Sequence, residues 1–192
     1  MIKLKKKIII SLLGVDGSGK TTLAKKLNKI FKNSKYLHLK PYILFQDRRT
    51  VIKKPQDQKK SFFFFSLLRL LSWLISYKVF FYRNKDKKFY IFDRYAHDIL
   101  VDPLRYKHGL SQGLTKFILW FFPKPNLWIF MNTPIKTIKF RKSELTDNEL
   151  KRQIRDYLLF FKYQKNVIML KNNIQKKKLI KIVIKKINNF IK

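Results

Sequence analysis

Gly14-Val15-Asp16-Gly17-Ser18-Gly19-Lys20-Thr21, followed at once by Thr22, matches the pattern G-x-x-x-x-G-K-[ST] without a gap. Lys7–Leu13 before it is an Ile-rich run that reads as a buried parallel strand. Thr21–Phe31 after it carries Leu23, Leu27 and Ile30 at helical spacing. A tight glycine loop in that setting turns successive backbone N–H groups toward phosphate oxygens, and the start of the helix adds its partial positive charge. Lys20 is placed to reach the β- and γ-phosphates of ATP, and Thr21 to offer a hydroxyl to Mg²⁺. The plainer alternative is a glycine turn that only joins strand to helix. Against it, three of the five glycines fall between Gly14 and Gly19, although the rest of the sequence is poor in glycine. Gly14, Val15, Asp16, Gly17, Ser18, Gly19, Lys20, Thr21 and Thr22 are therefore assigned to ATP, with Mg²⁺ as its partner ion.

Outward from the loop, strand and helix patterns alternate. Tyr36–Leu39 is a short second strand ending before Pro41, and residues 41–60 are polar and irregular, as in a mobile loop over a site. Ser61–Tyr82 holds long apolar runs that suggest a membrane span, but Arg69 and Lys78 interrupt it, and a helix buried against a sheet is the better reading. Lys88–Asp93 is a strand with an acid at its carboxyl end. Ser111–Phe122 is a helix closed by Pro123, Leu127–Met131 a strand, and Thr133–Arg141 a helix with Pro134 in its first turn. Ser143–Asn148 suits a lid, Glu149–Tyr163 a helix, Val167–Leu170 a last strand and Ile174–Ile191 a closing amphipathic helix. The expected fold is α/β: a three-layer, doubly wound, five-stranded parallel sheet of the P-loop kinase type, one domain over residues 1–192 with a small lid at about 141–152.

Composition adds bounds. The chain has 192 residues, enough for one sizeable core, and no cysteine, which excludes disulfides and thiolate metal sites. The start, MIKLKKKIII, has a basic then apolar character, yet it lacks a small-residue cleavage site and runs straight into the glycine loop, so it reads as a strand and the expected location is the cytoplasm. A formal charge of +34 raises nucleic acid or an anionic membrane as partners. The lysines are spread along the whole chain, however, with Ile, Phe and Asn also abundant, as an A+T-rich coding sequence would impose, and a solvated surface accounts for most of them.

A second group of residues carries chemistry. Strand Phe89–Phe92 delivers Asp93-Arg94-Tyr95 to its carboxyl end, the edge at which open α/β sheets bind ligands. A carboxylate there can hold Mg²⁺ or orient the attacking oxygen, and an arginine can neutralise charge spreading over a transferred phosphoryl group. By itself Asp-Arg is equally a surface ion pair or a helix cap.

GVDGSGKTT together with IFDRY resembles the thymidylate kinases. The continuation, DRYAHDILVDPLRY, PKPNLWIFMNTP and FRKSEL, is more similar to the thymidylate-kinase-like proteins of bacterial polysaccharide loci. The likeness runs from Ile8 to about Leu170. It implies that Lys20, Asp93 and Arg94 are catalytic, that Thr21 and Asp93 hold the metal, and that Asp16 faces a sugar hydroxyl of the acceptor. It implies further that Arg141, with Lys142 and Arg152, belongs to a lid over ATP, and that Arg94, Tyr95 and Arg69 contact the acceptor, Arg69 as a clamp for its phosphate. For Arg69 a snorkelling surface arginine weighs equally, and His97, Asp98 and Asp102 read rather as caps and braces. The resemblance also implies a homodimer.

Departures from the family pattern bear on the acceptor. The Arg-Glu-Pro-Gly-Gly stretch usual after the second strand is reduced to Lys40-Pro41, Ala96-His97-Asp98 replaces the elements expected beyond the DRY motif, and Asn132 stands where relatives end the fourth strand in aspartate. The expected activity is ATP-dependent phosphoryl transfer to a nucleoside monophosphate, dTMP first, with another phosphorylated sugar or nucleotide as the alternative acceptor. A reading from another class is a basic, nucleotide-regulated protein on anionic membrane or nucleic acid. Its support is the stretch from Lys171 to Lys192, with eight lysines, no acid and an apolar face, which equally suits the last helix of the fold.

Overall fold

A computed structural model describes residues 7–39, 59–142, 145–171 and 176–191. The expected loop over the site and Lys40-Pro41 lie almost entirely outside these residues, as does part of the expected lid. Five strands, β1 (Ile8–Leu13), β2 (Ser34–His38), β3 (Phe89–Asp93), β4 (Leu127–Asn132) and β5 (Val167–Lys171), form one sheet in the order β2-β3-β1-β4-β5. All four pairings are parallel. Each crossover carries helix: α1 (Lys20–Ile30), α2 (Phe63–Arg83), α3 (Gln112–Trp120), α4 (Ile135–Arg141), α5 (Asp147–Lys162) and, after β5, α6 (Lys176–Ile191). The expected α/β architecture is the one observed.

The central strands read as continuous apolar runs because both faces are covered. Ile9, Leu13, Tyr90, Phe92, Trp128 and Phe130 point to one side, where α2, α3 and α5 bring Leu70, Trp73, Tyr77, Phe80, Ile118, Tyr157 and Phe161. Ile10, Leu12, Ile91, Leu127 and Ile129 point to the other, against Leu23 and Leu27 of α1 and Leu179, Val183 and Ile187 of α6. The apolar stripe of the closing helix is thus core, and Lys178, Lys181, Lys185 and Lys186 are exposed around it. That assignment removes the main support for an interfacial C-terminal helix.

Helix α2 is long and apolar enough to cross a membrane, the one such helix among the described residues. One face, Leu70, Trp73, Tyr77 and Phe80, packs on the sheet as the sequence suggests. The opposite face differs from expectation: Phe64, Leu68, Leu71 and Ile75 are exposed, at spacings of a helical stripe.

Between β3 and α3 the chain makes two short 3₁₀ turns, Ala96–Leu100 and Leu104–Tyr106. Pro103 has no N–H to give a continuing helix, and Asp98 accepts the turn-closing bonds through its carbonyl from Val101 and Asp102. These turns put four charged side chains, Arg94, Asp98, Asp102 and Arg105, beside the glycine loop.

Candidate active site

The sheet order makes β3 the direct neighbour of β1, so Asp93 leaves its strand beside the loop that follows β1. Leu12 and His38 flank Asp93 in register on the two neighbouring strands. The loop is bent as its glycines allow. Gly14 has φ 145°, and a Cβ there would lie 3.0 Å from the Met131 carbonyl oxygen. Gly19 is the left-handed cap of α1 at φ 95°. Thr133 locks the loop to the end of β4 by donating to the Ser18 carbonyl at 3.1 Å. The N-terminus of α1 opens into a cleft of about 520 Å³ that Lys20, Thr21, Asp93, Arg94, Arg141 and Lys142 help to line.

Lys20 is buried, with its ammonium donating to the Val15 carbonyl at 2.8 Å and standing 3.6 Å from Asp16. Burial, then the nearby charge of Arg94, push its pKa down to about 8, against the pull of Asp16, Asp93 and Asp98. Thr21 donates its hydroxyl to Asp93 Oδ2 at 2.5 Å. Tyr36 and His38 approach the same oxygen at 3.3 and 3.1 Å. Oδ1 of Asp93 is buried with no hydrogen-bond partner among the described residues. Burial alone would raise the Asp93 pKa, but the hydrogen bonds from His38 and Thr21 and the charge of Lys20 bring it below the ordinary carboxylate value. The site therefore presents an ionised carboxylate with one bare oxygen.

That bare oxygen and the adjoining hydroxyl are the donor set a hard divalent cation takes. Thr21 and Asp93 fit Mg²⁺ in chemistry and in mutual position. Among the described residues no third acidic or histidine ligand joins a cluster around them, so such an ion would draw its other ligands from phosphate and water, as Mg²⁺ commonly does.

Arg94 is buried and has φ 73°, a left-handed backbone that a non-glycine residue adopts at a cost of about 1–3 kcal/mol. Its N–H bonds the Leu12 carbonyl at 2.9 Å, which fixes the turn. Its guanidinium donates to Asp16 and to Asp98. Asp98 is fully buried and also accepts from Tyr106 and Tyr157, each at 2.5 Å. Asp16 is held further by Arg105 at 2.8 Å, and Lys142 lies 3.8 Å away. Burial would raise the Asp16 pKa, yet Arg94, Lys20, Arg105 and Lys142 together hold it well below the carboxylate range.

The structure thus brings Lys20, Thr21, Asp93, Arg94 and Asp16 together, with Thr22 and Arg141 on the same cleft and Arg141 donating to the Gly17 carbonyl at 3.3 Å. Three other expected residues stand elsewhere. Tyr95 is buried among Tyr77, Phe92 and Trp128 and gives its hydroxyl to the Pro123 carbonyl; it is a core residue, because the left-handed turn at Arg94 swings it inward. Arg69 donates to the Tyr106 and Lys107 carbonyls and does not line the cleft. Arg152 is held by Glu149 and Asp156 on α5. His38 and Arg105 were not singled out from the sequence. Position at the end of the strand beside β3 would have flagged His38; nothing local signals Arg105.

No family model matches the sequence, and no curated protein does. Solved structures do match in shape. The thymidylate kinase from Candida albicans superposes with a TM-score of 0.65 at 17% identity, over 97% of this chain and 94% of that one. A deoxyadenosine kinase from M. mycoides with bound dCTP gives 0.64 at 18% identity, over 95% of this chain and all of that one. This is the fold of the thymidylate and deoxynucleoside kinases. The thymidylate kinase from Ehrlichia chaffeensis matches more loosely, with a TM-score of 0.57 at 16% identity over 95% of this chain. In this kinase fold the glycine loop after β1 and the acid ending β3 occupy the sheet edge where α/β proteins bind ligands.

Proposed function

We propose that the chain is an ATP-dependent kinase that transfers the terminal phosphoryl group to a nucleoside monophosphate, with dTMP the first acceptor to test. The observation that carries this reading is the convergence of Thr21 and Asp93 on one another beside a buried Lys20. Backbone N–H groups of Gly14–Thr22 and the Lys20 ammonium take the triphosphate, and Arg141 and Lys142 face it across the cleft. Mg²⁺ bound at Thr21 and Asp93 would neutralise negative charge on the outer phosphates. Arg94, held by Asp98, stabilises charge on the group in transfer, and the Asp93 carboxylate, fixed by Thr21, helps to align it. Positioning and charge stabilisation supply most of the acceleration in such transfers.

The family resemblance favours a phosphorylated acceptor over a neutral nucleoside, and the cationic cleft has room for its charge beside the triphosphate. Lys20, Arg94, Arg141 and Lys142 line the cleft, against the two carboxylates Asp16 and Asp93. Another phosphorylated sugar or nucleotide fits the same charge. Coupled ADP release over a panel of dTMP, dUMP, deoxyadenosine and sugar phosphates distinguishes them. Selective turnover of dTMP supports the reading, and turnover of deoxyadenosine alone contradicts it.

We infer further that the kinase acts as a homodimer. The support is the uncharged exposed stripe of Phe64, Leu68, Leu71 and Ile75 on α2, with Phe117 and Trp120 of α3 exposed as well. Apolar area of that kind marks an interaction surface, and a helical stripe can pack against its own copy.

A further inference from the structure

Asp93 has an asymmetric carboxylate. Oδ2 is surrounded by three side chains that can donate, the Thr21 hydroxyl at 2.5 Å, the His38 Nδ1 at 3.1 Å and the Tyr36 hydroxyl at 3.3 Å. Oδ1 is buried and has none among the described residues. A carboxylate free to turn about its χ2 torsion would exchange its two oxygens; donors fixed on one of them stop that exchange. Thr21 belongs to the phosphate site itself, and Tyr36 is held by packing in the core under α1. His38 is different. It is 52% exposed at the end of the edge strand β2, so its side chain adds little to the core, and its one hydrogen bond among the described residues goes to Asp93. Backbone pairing of His38 with Asp93 in the parallel ladder sets the two side chains next to each other.

We propose that His38 is a positioning residue for phosphoryl transfer: with Thr21 and Tyr36 it pins Oδ2 of Asp93 and so fixes the carboxylate against the phosphate loop. The inference rests on the kinase reading above and adds a residue to it. His38 acts through Asp93, so the donor at Nδ1 is the feature that matters and the rest of the ring is dispensable. Asparagine places an N–H at a position close to Nδ1, whereas alanine leaves Oδ2 short of a donor. Outer partners of site carboxylates typically contribute about 10-fold to 100-fold to activity.

The test compares the parent, His38→Ala and His38→Asn in ADP release from ATP and Mg²⁺, once with dTMP and once with no acceptor but water, and checks melting temperature for each. The expected result is a fall in kcat of at least about tenfold for His38→Ala in both arms, with KM for ATP within about twofold of the parent, and recovery to within about threefold for His38→Asn. Equal rates for His38→Ala and the parent would overturn the proposal, as would an asparagine variant no better than alanine. A raised KM for dTMP with kcat kept would overturn it too, by making His38 a direct acceptor contact. A parent that hydrolyses ATP without response to dTMP removes the dTMP reading and leaves the water arm to decide on His38. A parent that releases no ADP in either arm removes the kinase reading and His38 with it.

Discussion

Thr21 and Asp93 lie 72 positions apart in sequence and 2.5 Å apart in space, the hydroxyl at the start of α1 donating to the carboxylate at the end of β3. The contact exists because β3 pairs directly with β1 and both strands point the same way, so the phosphate loop and the acid reach one edge of the sheet together. Three expectations follow from the surroundings of this pair, and a fourth from α2.

Lys20 is an ammonium in a buried place with another cation, Arg94, nearby, and its pKa of about 8 lies below the ordinary 10.5. Between these values the unfolded chain binds more protons than the folded one, so this group costs stability below pH 8 and the cost disappears as pH rises through 10.5. Lys20→Met is expected to raise the melting temperature of the ligand-free protein at pH 7 while removing ATP binding. Differential scanning fluorimetry with and without ATP and Mg²⁺ measures both; a lower melting temperature for the variant would go against the burial argument.

Asp16 and Asp93 have the opposite sign. Both lie below the ordinary value of 3.8 in the folded state. Their stabilisation is in place above that value and is lost as pH falls through the lower folded values. Urea midpoints of the parent and Asp16→Asn should differ by a constant amount above about pH 5, and the gap should narrow progressively as pH falls below about 4. A gap as wide at about pH 2 as at about pH 6 would show that Asp16 does not stabilise through its charge.

Asp98 joins three elements by accepting from Arg94 after β3, Tyr106 in the second 3₁₀ turn and Tyr157 on α5. Removing one member of a buried charge pair leaves the other uncompensated, and Asp98→Ala is expected to lose about 3–5 kcal/mol in denaturant unfolding. Tyr157→Phe, which removes one donor to a charged group, should lose about 1.5–3 kcal/mol. Equal losses for the two would mean that Asp98 does not act as the hub of the network.

The exposed α2 stripe is expected to hold two copies together. Analytical ultracentrifugation of the parent should give twice the chain mass, and Leu68→Glu with Ile75→Glu should give a monomer with unchanged helix content. A monomeric parent at tens of micromolar would leave the stripe to another partner.

What could be read from the sequence was whatever is sequentially local. The phosphate loop is contiguous, and its chemistry is carried by the backbone, so the residue types alone declare it. The central strands are covered on both faces and therefore appear as unbroken apolar runs, and the every-fourth-residue spacing of Leu179, Val183 and Ile187 announces one buried face of α6. Contacts made by sheet order are invisible in the same text. His38 meets Asp93 across 55 positions and Tyr157 meets Asp98 across 59, and neither pairing has a local signature. Tyr95 misleads for a geometric reason: it adjoins two site residues, but the left-handed backbone of Arg94 turns it away from them into the core. Arg69 sits one position before the buried Leu70, and the rotation of α2 carries its guanidinium to the Tyr106 and Lys107 carbonyls.

The central claim is that the loop from Gly14 to Thr22, with Lys20, holds a triphosphate. Isothermal titration of the folded protein with ATP and Mg²⁺ tests it directly. The expected result is saturable binding of one nucleotide per chain that Lys20→Ala abolishes while its far-ultraviolet circular dichroism stays that of the parent. Absence of binding heat at millimolar nucleotide, or equal binding by parent and variant, would contradict it.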